Sequence, residues 1–147
     1  MIRYYLAFFD TIPMPKGANM AVEMGTFRTD VELENPSAPG TRHVIRNALV
    51  DTGAALSWFP GHVIEALGAR PSKIWHFRQT DGTVLARWTA EVRIHASGTS
   101  TTDEVVIGEP NDLVLLGSRS LEGLNLRVDP VSMRLVDAGP APAAAAA

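Results

Sequence analysis

The run Ala48-Leu49-Val50-Asp51-Thr52-Gly53-Ala54 places one carboxylate at the end of an apolar stretch. Apolar residues directly before the acid read as a strand leaving a buried sheet, so Asp51 emerges beside the interior and not from a solvated loop. An ionised acid is costly there unless something stabilises it. A rigid carboxyl in such a place suits general acid–base chemistry. Thr52 adds a β-branched residue with a hydroxyl. Gly53 lets the backbone approach another group closely or take a positive φ. The same residues also fit a strand end followed by a plain turn, so the reading depends on what surrounds them.

The 147 residues suit one domain. Apolar residues make up 46% and charged residues 20%, an ordinary globular mix with material for a core. The net charge of −3 gives no reason to expect a nucleic-acid partner. No apolar run reaches the length of a membrane span, so no membrane partner is expected. Cysteine is absent, which excludes a disulfide framework and thiolate chemistry and fits a cytoplasmic location. His43, His62, His76 and His95 lack ligand spacing, so neither a metal nor a cofactor is expected. No Gly-rich phosphate loop, Ser/His/Asp set or zinc motif appears.

The elements that must hold Asp51 are short. Residues 2–9 read as an aromatic-rich strand, or less well as a signal peptide without an Ala-x-Ala site. Residues 11–20 read as a loop. From 27 to 34, Phe27, Thr29, Val31 and Leu33 alternate with Arg28, Asp30, Glu32 and Glu34, which predicts a half-buried strand with one wet face. Residues 35–40 predict a turn, and a strand over 42–50 delivers Asp51. A short strand over 56–59 precedes a brief helix opened by Pro60 and closed by Gly68, with Val63, Ile64 and Leu67 on one face. Strands over 74–80 and 83–95 are joined at Asp81-Gly82, a strong hairpin signal. In the second of them Val84, Ala86, Trp88, Ala90, Val92 and Ile94 share a side. A strand over 104–107 and a buried run over 113–116 follow, then a short helix over 118–124 with Leu121 and Leu124 inward. Two last strands flank an Asp129-Pro130 turn, and the Pro/Ala stretch 138–147 is expected to be disordered. Trp58, Trp75 and Trp88 read as core, while Asp103, Glu104 and Asp112 read as solvated. Many short strands with two short helices predict an all-β, closed-barrel-like fold.

Leu49-Val50-Asp51-Thr52-Gly53-Ala54 resembles the active-site signature of retropepsin-like aspartic proteases. The likeness runs from Met24 to about Val136 in the family's order. Leu115-Leu116-Gly117 resembles the family's second apolar-apolar-Gly element, which lies beside the catalytic loop. Leu121 to Pro130 resembles the close of bacterial members. The resemblance implies a protease domain over 24–137, preceded by an arm or an over-long start at 1–23. Viral members often carry an acid and an arginine that pair where this chain has Ala55 and Ser118. Both partners are missing together, so no orphan charge remains.

The resemblance implies peptide hydrolysis by two carboxyls that share one proton, a pair that titrates as a unit. One Asp-Thr-Gly supplies half of that pair, so the expected enzyme is a homodimer acting on a peptide or protein substrate. Asp51 is then the catalytic acid. Thr52 braces the two loops across the axis, and Gly53 leaves room for water and the scissile carbonyl. Ala54, Ala55, Leu116 and Gly117 are expected to border the substrate. Thr80, Asp81, Gly82 and Thr83 are expected to form the tip of a flap over it. The alternative reading of this hairpin, which the resemblance places second, is an ordinary surface turn, since Asp-Gly signals a turn of either kind. The competing function is a non-catalytic dimer of the same fold that binds extended peptides by strand addition.

Overall fold

The computed structural model describes residues 27–145; the readings made for residues 1–23 lie outside the described residues. Among the described residues, nine strands and two short helices follow one another. They are β1 (Phe27–Glu34), β2 (Arg42–Asp51), β3 (Trp58–Pro60), α1 (Gly61–Ala66), β4 (Pro71–Arg78) and β5 (Val84–Ala96), then β6 (Thr99–Gly108), β7 (Leu115–Gly117), α2 (Ser118–Leu124), β8 (Leu126–Asp129) and β9 (Arg134–Asp137). The hydrogen-bonded order β1-β2-β7-β3-β6-β5 closes through a β1–β5 pairing, which makes a six-stranded barrel. β4 extends this sheet beyond β5, and β8 and β9 form a separate hairpin. This is the all-β, closed-barrel class that the strand pattern predicts.

The core forms because alternating apolar residues of β1, β5 and β6 meet those of β2 and the inner faces of both helices. Val31, Leu33, Val50, Phe59, Ile64, Val92, Ile94, Val105, Leu116 and Leu121 are all buried in one cluster. Gly68 takes φ +73 one residue beyond the Leu67 cap of α1, and Asn125 takes φ +53 directly after α2; both are left-handed helix stops.

Three expectations fail on burial. Glu34, placed on the wet face of β1, is buried: its Oε1 meets His95 Nε2 at 2.8 Å and its Oε2 accepts from Gly40 N at 2.7 Å. The Gly40 bond, then the His95 contact, holds its carboxyl below the ordinary range. Trp88 is 49% exposed instead of core. β5 runs off the barrel in its first half, so the face that points inward at Val92 and Ile94 points to solvent at Val84 and Trp88. The three acids read as solvated are all tied down. Asp103 accepts from Ser120, Glu104 from Thr89 and Trp75, and Asp112 pairs in bidentate fashion with Arg87. The stretch 138–145 carries no helix or strand, and Gly139 O accepts from the Asn125 side chain.

Candidate active site

A bulge aims Asp51. Thr29 pairs with Ala48 but Val31 pairs with Ile45, so Arg46 and Asn47 together oppose Asp30. Asn47 takes φ +55, its N–H donates to Asp30 Oδ1 at 2.9 Å, and Arg46 reaches Asp30 Oδ2 at 3.2 Å. After this kink the strand enters the sheet between β1 and β7. Ala48, Leu49, Val50 and Asp51 are consequently all buried. Leu49, Val50 and Asp51 pair in parallel with Leu115, Leu116 and Gly117, which seats the acid opposite Gly117.

The Asp51 side chain has no solvent exposure. Its Oδ1 accepts from Gly53 N at 2.9 Å, and its main-chain oxygen accepts from Ala54 N at 3.2 Å. Its Oδ2 is buried without a hydrogen-bond partner among the described residues. Burial pushes the carboxyl up to about 6, against the opposing pull of the Gly53 and Ala54 N–H groups. The acid is therefore able to hold or release a proton near neutral pH. Thr52 is exposed and Gly53 half-buried, so the turn reaches the surface directly above a buried carboxyl.

The start of α2 locks that turn from the side. Ser118 N donates to Ala54 O at 2.8 Å, and Arg119 N to Ala55 O at 3.1 Å. Gly117 makes the approach possible, since a Cβ there would lie 2.6 Å from Leu56 O. Leu116 and Ala54 are fully buried, so these two predicted site residues support the loop from within; Ala55 is half-buried beside it.

The hairpin differs from the expected two-residue turn. Its strands stop at Arg78 and start again at Val84, and Gln79 N donates to Thr83 O at 2.8 Å across a three-residue loop. Gly82 holds φ +89, as a type I turn followed by a left-handed residue requires. Asp81 Oδ1 accepts from Thr83 N and Thr83 Oγ1, which stiffens the tip. Thr80, Asp81, Gly82 and Thr83 are all exposed. The inner face of the hairpin meets the barrel through aromatics. Phe77 packs 5.0 Å from Trp58 and 6.0 Å from Trp75, in one buried cluster with Ala54 and Leu56. The Asp51 turn and the loop-proximal end of β4 thus share a single packed base.

Sequence reasoning passed over two buried hydroxyls under the turn. Ser57 Oγ and Ser120 Oγ lie 2.6 Å apart, and Gly117 N donates to Ser57 Oγ at 2.9 Å. Serine carries no hydrophobic or ligand signature, and 63 residues separate the two, so nothing in the sequence marks the pair.

The fold and the site define a small all-β barrel protein with a buried, proton-accepting acid at a surface turn. Its structure is similar to the crystal structure of a retropepsin-like aspartic protease from Rickettsia conorii, with 16% identity, a TM-score of 0.44, and coverage of 71% of this chain and 82% of that chain. No protein-family model matches the chain, and no curated protein does.

Proposed function

We propose that the chain is one subunit of a homodimeric aspartic endopeptidase that hydrolyses peptide bonds in extended polypeptides. The observation that carries this reading is Asp51 Oδ2, a buried carboxyl oxygen without a partner among the described residues, on an acid raised to about 6. Leaving such an oxygen unpaired is costly, and a second carboxyl sharing its proton would satisfy it. The sequence has one Asp-Thr-Gly, so that second carboxyl comes from another copy. The exposure of Thr52 supports a meeting point at the surface turn.

In the dimer the two Asp51 carboxyls hold one proton. The ionised member takes a proton from water while the water oxygen bonds to the scissile carbonyl carbon. The protonated member gives its proton to the carbonyl oxygen. The resulting gem-diol expels the amine: the C–N bond breaks, the nitrogen receives a proton from the protonated carboxyl, one gem-diol hydroxyl gives its proton to the ionised carboxyl, and a carboxylic acid leaves with the dyad back in its one-proton state. Gly53 leaves space for the water, and the β4–β5 hairpin covers the peptide and excludes bulk solvent.

A site made from two copies disappears on dilution. Activity per unit of protein is expected to fall as concentration drops through the dissociation range, in step with the dimer fraction measured by sedimentation. A rate strictly proportional to protein across that range would exclude a shared site.

One observation favours a second reading. β4 pairs only with β5, so its outer edge is open among the described residues and could add a strand without any chemistry. A peptide analogue with a central hydroxyl separates the two. An enzyme dyad binds it far more tightly than the matching plain peptide, whereas a strand-adding module binds both alike.

A further inference from the structure

Ser57, Ser120 and Asp103 form a buried chain that ends on the strand position facing Asp51. Gly117 N donates to Ser57 Oγ at 2.9 Å, Ser57 Oγ lies 2.6 Å from Ser120 Oγ, and Ser120 Oγ donates to Asp103 Oδ2 at 2.8 Å. Both serines are fully buried. Asp103 is 11% exposed at its side chain, with Arg119 Nη2 3.7 Å from its Oδ1.

The two ends fix every proton between them. An ionised Asp103 only accepts, so the Ser120 hydroxyl must donate to it. Ser120 has then spent its one proton, so the short contact to Ser57 is donated by Ser57. Ser57 in turn has lone pairs free for the Gly117 N–H. The direction runs one way, from Gly117 N–H through two hydroxyls to one carboxylate. A hydrogen bond that ends on a charge is stronger than a neutral one, and a chain polarised in one direction is stronger still.

The placement gives this chain a task. Gly117 is the parallel partner of Asp51, and its backbone is wedged against Leu56 O and Ala54 O. Ser57 lies on the segment that leaves the Asp51 turn, and Ser120 on the helix that clamps it. We infer that Asp103, acting through Ser120 and Ser57, is a positioning residue that holds the Gly117 strand end and the Asp51 turn in register for the reaction. This rests on the proposed peptidase reading for its kinetic consequence. It does not rest on that reading for its effect on the Asp51 carboxyl.

The test compares Ser57→Ala, Asp103→Leu and Asp103→Asn with the unchanged protein. Two readouts are followed: peptide kinetics of the assembled protein, and titration of the Asp51 carboxyl by carbon-13 NMR under conditions where the subunits are apart, so that it titrates as a single group. Ser57→Ala and Asp103→Leu both break the chain. Each is expected to lower kcat by roughly 30- to 100-fold with KM within about twofold, since small misplacements of reacting groups cost that much. Each should also admit water to the turn, so that the Asp51 midpoint falls from about 6 towards the ordinary carboxylate range. Asp103→Asn keeps an acceptor for Ser120 and should retain the Asp51 midpoint and kcat within about threefold. Asp103 keeps 11% of its side chain exposed and leucine comes close to its volume, so Asp103→Leu supplies a second chain-breaking variant should Ser57→Ala fail to fold. If both chain-breaking variants only lower the melting temperature and leave the Asp51 midpoint unchanged, the inference is overturned. If the protein has no peptidase activity at all, the midpoint alone still decides the matter.

Discussion

Asp51→Asn is expected to abolish peptide cleavage, by on the order of 10⁴-fold or more, while leaving the barrel intact. Asparagine is nearly isosteric, and its amide oxygen can still accept from Gly53 N. It can neither take a proton from water nor give one to a carbonyl. The same substitution has a second signature that needs no substrate. Burial raises the Asp51 carboxyl from 3.8 to about 6, so between those values the folded chain holds more proton than the unfolded one. Stability contributed by this group is therefore fully present below pH 3.8 and is lost as pH rises through about 6. At pH 7 the ionised acid costs the fold on the order of 2–3 kcal/mol. Glu34 and Asp129 have the opposite sign, because their carboxyls are held low and their stabilisation is lost on acidification. The difference between the two proteins isolates Asp51. Urea unfolding at pH 4 and pH 7, at concentrations where the subunits are apart, should show the variant gaining on the unchanged protein only at the higher pH. An equal difference at both values would mean that the acid is not buried in solution. Residual cleavage at the original rate would end the peptidase reading.

The features legible in the sequence are those carried by short-range period and by turn chemistry. The strand over 27–34, the helix over 118–124 and the apolar entry to Asp51 each depend on residues within about eight positions, and each appears where expected. The failures share a different cause. Glu34 finds His95, Asp103 finds Ser120, and Ser57 finds Ser120, each on a different element of the chain. A charged or hydroxyl residue on a strand reads as wet unless its distant partner is known. Trp88 fails for a geometric reason, since one face of a long strand can serve the core at one end and solvent at the other. The Asn47 bulge escaped notice because Arg46-Asn47 carries no glycine or proline to mark it. Yet that bulge is what turns a half-exposed strand into the fully buried segment that delivers Asp51. The motif thus names the acid, while contacts far apart in the chain determine how it is held.

Gly117→Ala is expected to have the largest effect of any single-methyl change near the site. The added Cβ would lie 2.6 Å from Leu56 O, 2.7 Å from Leu56 C and 3.0 Å from Ala54 O. All three are backbone atoms, so no rotamer change relieves the clash. Moving them apart strains the bonds from Ser118 N to Ala54 O and from Gly117 N to Ser57 Oγ. The expected cost is about 2–3 kcal/mol, enough to lower the melting temperature by roughly 10 °C. Since the Asp51 turn must shift to admit the methyl, its carboxyl midpoint should move and cleavage should fall together with stability. Gly98→Ala supplies the contrast. Its Cβ meets nothing within 4 Å, but its φ of +79 disfavours any side chain, so about 1 kcal/mol should be lost with no change at Asp51. A Gly117→Ala protein that melts within two or three degrees of the original and cleaves at full rate would mean that the turn and the helix start are not in contact. In that case the clamp on Asp51 would have to come from elsewhere, since Gly117 is the position at which β2, β7, the Asp51 turn and the buried serines all converge.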